Sequence, residues 1–309
     1  LLTQRVLTTP KHYAYLKIAE GCNRKCSFCA IPNIRGKNIS RPVDVVLEEA
    51  NWLVDKGVKE LIIVAQDTTY YGMDLYKKRK LPTLLTELAK IKNLEWIRLH
   101  YSYPTGFPIE IIKLMNKYEN ICKYLDIPLQ HIDSDILKSM KRGINEEQTK
   151  NLIKKIRSVV PDITLRSTFI AGYPGETRKQ FEKLKDFIIE TRFERLGVFA
   201  YSEEENTPAA KLNDSVSGKT KEKRVSEIME IQQEISYEIN REKIGKTYKT
   251  LIDRKENDYY IGRTEADSPE VDNEVLIPAK QNLVIGNFYQ IKINKVNAFD
   301  IYGDVILKK

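Results

Sequence analysis

The chain has 309 residues but only four cysteines, three histidines, two tryptophans and four methionines. So few cysteines in a chain of this length argue against a secreted disulfide scaffold. No apolar run is long enough to span a bilayer, and residues 1–20 carry no signal-peptide pattern, so a cytoplasmic protein with no membrane partner is expected. No low-complexity stretch is present, and no repeat beyond a strand–helix theme. Excess acidic charge is also missing, since the net charge is +8. The segment from Gly245 to Lys309 has ten Lys/Arg and ten Asp/Glu. The whole positive excess therefore lies in residues 1–244, and a neutral tail is not the footprint of one that grips phosphates. What remains, 41% hydrophobic and 30% charged residues, suits a globular protein with a large core.

Residues 13–202 alternate short apolar runs with segments of helical period. The predicted strands are YAYLKIAE (13–20), KELIIVAQ (59–66), WIRLHYSY (96–103), KYLDIPLQ (123–130), ITLRSTFIAG (163–172) and RLGVFAYS (195–202). Between them lie VDVVLEEANWLVDKG, opened by Pro42 and closed by Gly57, then LPTLLTELAKI, PIEIIKLMNKY, NEEQTKNLIKKIRSVV and ETRKQFEKLKDFIIETR. Six strand–helix units imply a parallel sheet with right-handed crossovers, two short of a closed eight-fold barrel. The fold class is α/β, a partial (βα)6 TIM-like barrel. Residues 219–244 predict a long helix with an apolar stripe of Val225, Ile228, Ile231, Ile235 and Ile239. Beyond it, KTYKTLID, YYIGRT, EVLIP, FYQIKINKV and YGDVILKK are short strands parted by turns, predicting a small antiparallel β-barrel. The expected units are 1–244 and 245–309.

Three of the four cysteines fall in GCNRKCSFCA (21–30), spaced C-x3-C-x2-C as Cys22, Cys26 and Cys29. A closed zinc site takes four protein ligands, so zinc here needs a fourth from Cys122, His12, His100 or His131. A [4Fe–4S] cluster held by three thiolates keeps one iron open, which suits catalysis better than electron transfer.

C-x3-C-x2-C directly after the first strand of a (βα)6 array resembles the radical S-adenosylmethionine (SAM) superfamily. The resemblance implies a [4Fe–4S] cluster on the three cysteines, with its open iron chelating SAM. It implies reductive cleavage of the sulfonium and hydrogen abstraction from an unreactive carbon, chemistry carried by the cofactor. It further implies Phe28 near the adenine, Gln66 and Asp67 at the SAM amino group, and Gln130 near the ribose and carboxylate. STFIAGYPGET (167–177) resembles the superfamily's G-x-I-x-G-x-x-E stretch near adenine, through Gly172, Tyr173 and Glu176. Thr168 stands where the first Gly is expected, and Glu176 falls one residue late. Arg166 is placed to hold the SAM carboxylate or offset cluster charge. These stretches follow the carboxyl ends of strands, where parallel α/β folds bind ligands.

The match narrows over KIAEGCNRKCSFCAIPNIRGKNISRP, VAQDTTYYG, LDIPLQH, FIAGYPGET and FAYSEEENTPAA, which together resemble the radical SAM methylthiotransferases. That family ends in a TRAM domain, a small β-barrel corresponding to 245–309. LDIPLQH and RLGVFAYSEEENTPAA resemble the RimO branch, which adds a methylthio group to an aspartate β-carbon in a small-subunit ribosomal protein. The alternative is the MiaB branch, which modifies a tRNA adenosine; a zinc-binding interaction protein is a third reading. The acidic stretch EADSPEVDNE, carrying Glu265, Asp267, Glu270, Asp272 and Glu274, is expected to attract a basic ribosomal protein to the TRAM barrel. A reductant protein is implied as a further partner. Full-length members carry an amino-terminal domain whose three additional cysteines hold a second [4Fe–4S] cluster. This sequence has none of them and begins at LLTQRVLTTP, resembling the linker into the radical SAM unit, so a fragment is expected.

Overall fold

Strand residues alternate between two unlike environments, and that alternation sets the architecture. The computed structural model describes residues 6–306; the start of LLTQRVLTTP and the last three residues of YGDVILKK lie outside them. Six strands, β1 (Tyr13–Lys17), β4 (Glu60–Val64), β5 (Trp96–Leu99), β6 (Ile121–Asp126), β7 (Thr164–Ala171) and β8 (Arg195–Ala200), form one parallel sheet in that order. A two-stranded ribbon of β2 (Ala19–Glu20) and β3 (Ile39–Ser40) flanks the first crossover. The sheet does not close: β1 and β8 are its two edges.

Leu61, Ile63, Ile97, Leu99, Leu125, Leu165 and Phe169 join one continuous core with the covering helices. Those helices include α2 (Val43–Asp55), α4 (Leu81–Leu88), α5 (Glu110–Lys117), α7 (Glu146–Val159) and α8 (Arg178–Thr191); α1 (Ile31–Arg35), α3 (Met73–Tyr76) and α6 (Ser134–Ser139) are short turns in the loops. Helices α7 and α8 start at capping boxes, Asn145 with Gln148 and Thr177 with Gln180. The long helix α9 (Gly218–Arg241) packs on β8 and α8, burying Ile228 and Ile235. No helix among the described residues is long and apolar enough to cross a membrane.

The opposite, inward strand positions include the polar Glu60, Arg98, Tyr124, Asp126, Arg166 and Arg195, all buried or half-buried. A small closed barrel of β9 (Thr247–Glu256), β10 (Tyr259–Arg263), β11 (Glu274–Pro278), β12 (Phe288–Val296) and β13 (Asp300–Val305) caps this interior from the strands' amino-terminal side. Its pairs are antiparallel except β11–β13, which is parallel. A ring of five strands cannot alternate direction all the way round, so one parallel pair is required for closure. Leu251 and Phe288 of the barrel pack against Trp96, Cys122 and Tyr124 of the sheet.

The acidic stretch is not a free acidic face. It forms the β10–β11 loop, which plugs the partial barrel. Asp267 takes Arg195 Nε at 3.0 Å, Asp272 takes the Tyr124 hydroxyl at 2.7 Å and pairs with Arg166 at 3.3 Å. The Glu265 carbonyl accepts from Arg98 at 2.6 Å, Glu270 accepts from Tyr13 and Glu274 pairs with Arg254. Arginines converging inside the sheet need counter-charges, and this loop supplies them.

Candidate functional site

At the other end of the same interior, the strands' carboxyl ends open into a cavity of about 410 Å³. The loop carrying Cys22, Cys26 and Cys29 forms one wall. It leaves β2 through Gly21, whose φ is +80° and whose added Cβ would lie 2.2 Å from the Lys37 carbonyl oxygen, so only glycine fits. Ser27 fixes the loop's far side: its N–H donates to the Met140 carbonyl and its hydroxyl to that of Ser139. Tyr173 hydroxyl also meets Ser27 Oγ at 2.8 Å.

All three cysteines line the cavity. Burial pushes the Cys22 thiol up to about 11 and also raises Cys29, so metal ligation there must displace protons. Arg142 Nη1 donates to Cys26 Sγ at 3.3 Å. Arg24 Nε donates to Asp67 at 2.7 Å, and its guanidinium lies 3.9 Å from the Tyr103 ring centre. Buried Arg24 Nη2, Gln66 Oε1 and Arg142 Nε have no hydrogen-bond partner. Unsatisfied buried polar atoms on residues that line one cavity are what a ligand site leaves behind. Two non-glycine wall residues, Tyr101 (φ 54°) and Gln130 (φ 75°), hold the left-handed conformation at strand ends. Such strain collects at functional sites.

Of the residues singled out from sequence, Phe28, Gln66, Gln130 and Arg166 share this cavity with the cysteines. Asp67, Gly172, Tyr173 and Glu176 sit behind its wall. Asp67 braces Arg24. Glu176 is buried against Arg224 Nη1 at 2.5 Å and accepts from Gly172 N–H at 3.1 Å. His131 Nδ1 accepts from Asp133 N–H, which leaves its Nε2–H facing Glu176 at 3.3 Å. Sequence reasoning missed Arg142, Tyr103 and Arg24. Arg24 sits between two cysteines and Tyr103 follows the third strand of the sheet, which were usable signals; Arg142 belongs to no motif.

No candidate fourth zinc ligand lines the cavity. Cys122 is packed with Trp96 and Leu251, His12 bonds Asp253, and His100 bonds Ser268. Among the described residues, no group of three or more His, Cys, Asp or Glu is arranged to hold a single ion. A closed zinc site takes four protein ligands, whereas a cube of four irons takes each cysteine on a separate metal and can leave one iron without a protein ligand. The donor set, three thiols and no fourth protein ligand, fits a [4Fe–4S] cluster with one iron open to a small molecule.

Residues 16–188 match the radical SAM superfamily, and residues 244–306 match the TRAM domain. The chain is 55% identical over 305 residues to the ribosomal protein uS12 methylthiotransferase RimO of Flavobacterium johnsoniae, covering 98% of this chain and 70% of that one. It is 53% identical over 307 residues to the RimO of Cytophaga hutchinsonii, covering 99% and 70%. Among solved structures it resembles coproporphyrinogen III oxidase HemN of Escherichia coli, at a TM-score of 0.55 and 16% identity, over 83% of this chain and 67% of that one. It also resembles the methyltransferase TsrM of Kitasatospora setae, with cobalamin and a [4Fe–4S] cluster bound, at 0.53 and 19%, over 64% and 38%. These two likenesses concern the fold alone.

Proposed function

This chain belongs to the radical SAM methylthiotransferases of the RimO type, and from that premise we propose how its residues divide the work. The enzyme adds a methylthio group to the aspartate β-carbon of ribosomal protein uS12. The observation that carries the site assignment is the convergence of Cys22, Cys26 and Cys29 on one cavity that, among the described residues, no other Cys, His, Asp or Glu lines. When bound, the cluster and SAM supply reductive sulfonium cleavage and abstraction of hydrogen from an unreactive carbon.

The chain's own residues bind and orient. In this reading Cys22, Cys26 and Cys29 hold three corners of the cluster. Gln66 and Gln130 offer amide groups to the polar end of SAM, and Gln66 Oε1 is an acceptor still without a donor. Phe28 gives an apolar wall for the adenine, and Arg166 a cation for the carboxylate. Asp67, Gly172, Tyr173 and Glu176 act through their neighbours: Asp67 fixes Arg24, Tyr173 fixes Ser27, and Glu176 fixes the Gly172 turn. No residue is assigned as an acid or base.

The division between units is placed at 244/245, supported by α9 ending at Arg241 and β9 starting at Thr247. We read the partners as a basic ribosomal protein, contacted partly by the outer wall of the TRAM barrel, and a reductant protein, all in the cytoplasm. The acidic stretch gives this contact little support, because Asp267 and Asp272 are spent inside the fold and Glu274 pairs with Arg254.

The test is SAM cleavage by the anaerobically reconstituted protein, followed as 5′-deoxyadenosine with uS12 or tRNA added. Stimulation by uS12 is the expected result. Stimulation by tRNA, with tight salt-dependent binding, would move the assignment to the MiaB branch.

A further inference from the structure

Arg142 is a buried cation with no anion. It is 4% exposed, and no ion pair among the described residues uses it. Its Nη1 donates to Cys26 Sγ at 3.3 Å, its Nη2 donates to the Pro128 carbonyl, and its Nε has no partner. The guanidinium lies 4.3 Å from the Tyr103 ring centre. That ring also carries Arg24 at 3.9 Å. Tyr103 hydroxyl donates its only proton to the Arg142 carbonyl at 2.9 Å, so although it lies 3.6 Å from Cys26 Sγ it has none left to give. Arg142 is therefore the side-chain donor aimed at this sulfur, clamped by a stack and a carbonyl. A lone guanidinium in such a place is costly unless negative charge arrives beside it.

We propose that Arg142 sets the reduction potential of the cluster through Cys26. The inference rests on Cys22, Cys26 and Cys29 being the cluster ligands. One electron from an external low-potential donor, of the flavin or iron–sulfur class, makes the cluster more negative; no bond forms or breaks in that step. An N–H···S hydrogen bond and an unshared positive charge both favour the more negative state, which raises the potential. Arg142 is a tuning residue: it touches a ligand sulfur and acts on the electron, not on the substrate.

The experiment is a redox titration of the reconstituted protein, read by the electron paramagnetic resonance of the reduced cluster, in wild type and in Arg142→Lys, Arg142→Gln and Arg142→Met. The equilibrium constant for reduction is expected to fall about tenfold in Arg142→Gln, a shift of about 59 mV to more negative potential for one electron. Arg142→Met should fall further, and Arg142→Lys should restore part of the loss. Tyr103→Phe, which keeps the stack, should change the constant less than about threefold. Iron and sulfide content are measured on every sample. Should Arg142→Met fail to hold a cluster, the Gln and Lys variants carry the comparison. Full cluster content with wild-type potential in Arg142→Gln and Arg142→Lys would overturn the proposal. A wild type that holds zinc and no cluster would instead overturn the ligand assignment beneath it.

Discussion

The two ends of the partial barrel's interior are built from the same strands and finished in opposite ways. At the amino-terminal end, charge meets charge. Glu60 takes Arg98 at 2.7 Å and Arg263 at 2.8 Å, while Asp253 takes Arg263 at 2.6 Å and His12 at 2.8 Å. At the carboxyl end, three thiols, Arg24, Arg142 and Gln66 line a cavity, and each of the last three leaves a buried polar atom without a partner. One end is filled by the TRAM loop and fixes the fold; the other is left incomplete so that something else can complete it. Arg166 joins them, lining the cavity while pairing with Asp126 and with Asp272 of the loop.

That contrast is sharpened by removing a group from each end. Cys22→Ala should abolish cluster binding and SAM cleavage while changing the thermal stability of the metal-free protein by less than about 1 kcal/mol. A large stability loss there would erase the distinction. Glu60→Gln should do the reverse, costing about 3–5 kcal/mol by stranding Arg98 and Arg263. Chemical denaturation of the metal-free protein measures it, and a change under 1 kcal/mol would mean this charge cluster is not what holds the two units together. Asp272→Ala removes an acceptor from Tyr124, Ser268 N–H and Arg166, and a loss of about 1–3 kcal/mol is expected. Mobility at Arg166 should follow, seen as weaker SAM binding by calorimetry.

The charged amino-terminal end also sets the response to acid. Burial alone would push the Glu60, Asp253 and Asp267 carboxyls up, yet their partners hold all three below the usual range: the Arg263 and Arg98 guanidiniums at Glu60, a hydrogen bond to His12 and then Arg263 at Asp253, and Arg195 at Asp267. Depressed carboxyls contribute stability above the ordinary value near pH 4, and lose it as pH falls through their folded values. His100 is depressed to about 3 by burial, then by Arg98 and Arg166. The unfolded chain takes up its proton near pH 6.5 and the folded one refuses it, so stability should decline first between about 6.5 and 4, then steeply below. Unfolding midpoints across that range check the two stages. The smallest effect is expected at the exposed pair Arg192–Glu238, where Arg192→Ala should cost under about 0.5 kcal/mol.

Much of this was legible in sequence. The period-2 and period-3.6 patterns marked all six parallel strands, the long helix and the five barrel strands, because each buries a continuous apolar face. The three cysteines were legible because local spacing alone brings them together. The plug was not. Arg98, Arg166 and Arg195 come from three separate strands, and a charge count along EADSPEVDNE cannot say which cations lie across space. Arg142 was invisible for the same reason: its partner, Cys26, is 116 residues away. Glu176 drew notice as a motif residue, but its neighbours Arg224 and His131 come from distant segments and turn it away from the cavity.

The most direct test is metal and sulfide analysis of the anaerobically reconstituted protein, with the spectrum of the reduced cluster recorded before and after SAM is added. About four irons and four sulfides per chain, and a spectrum that SAM perturbs, are expected for a cube held at three corners. One zinc per chain without sulfide, or a cluster indifferent to SAM, would contradict the account.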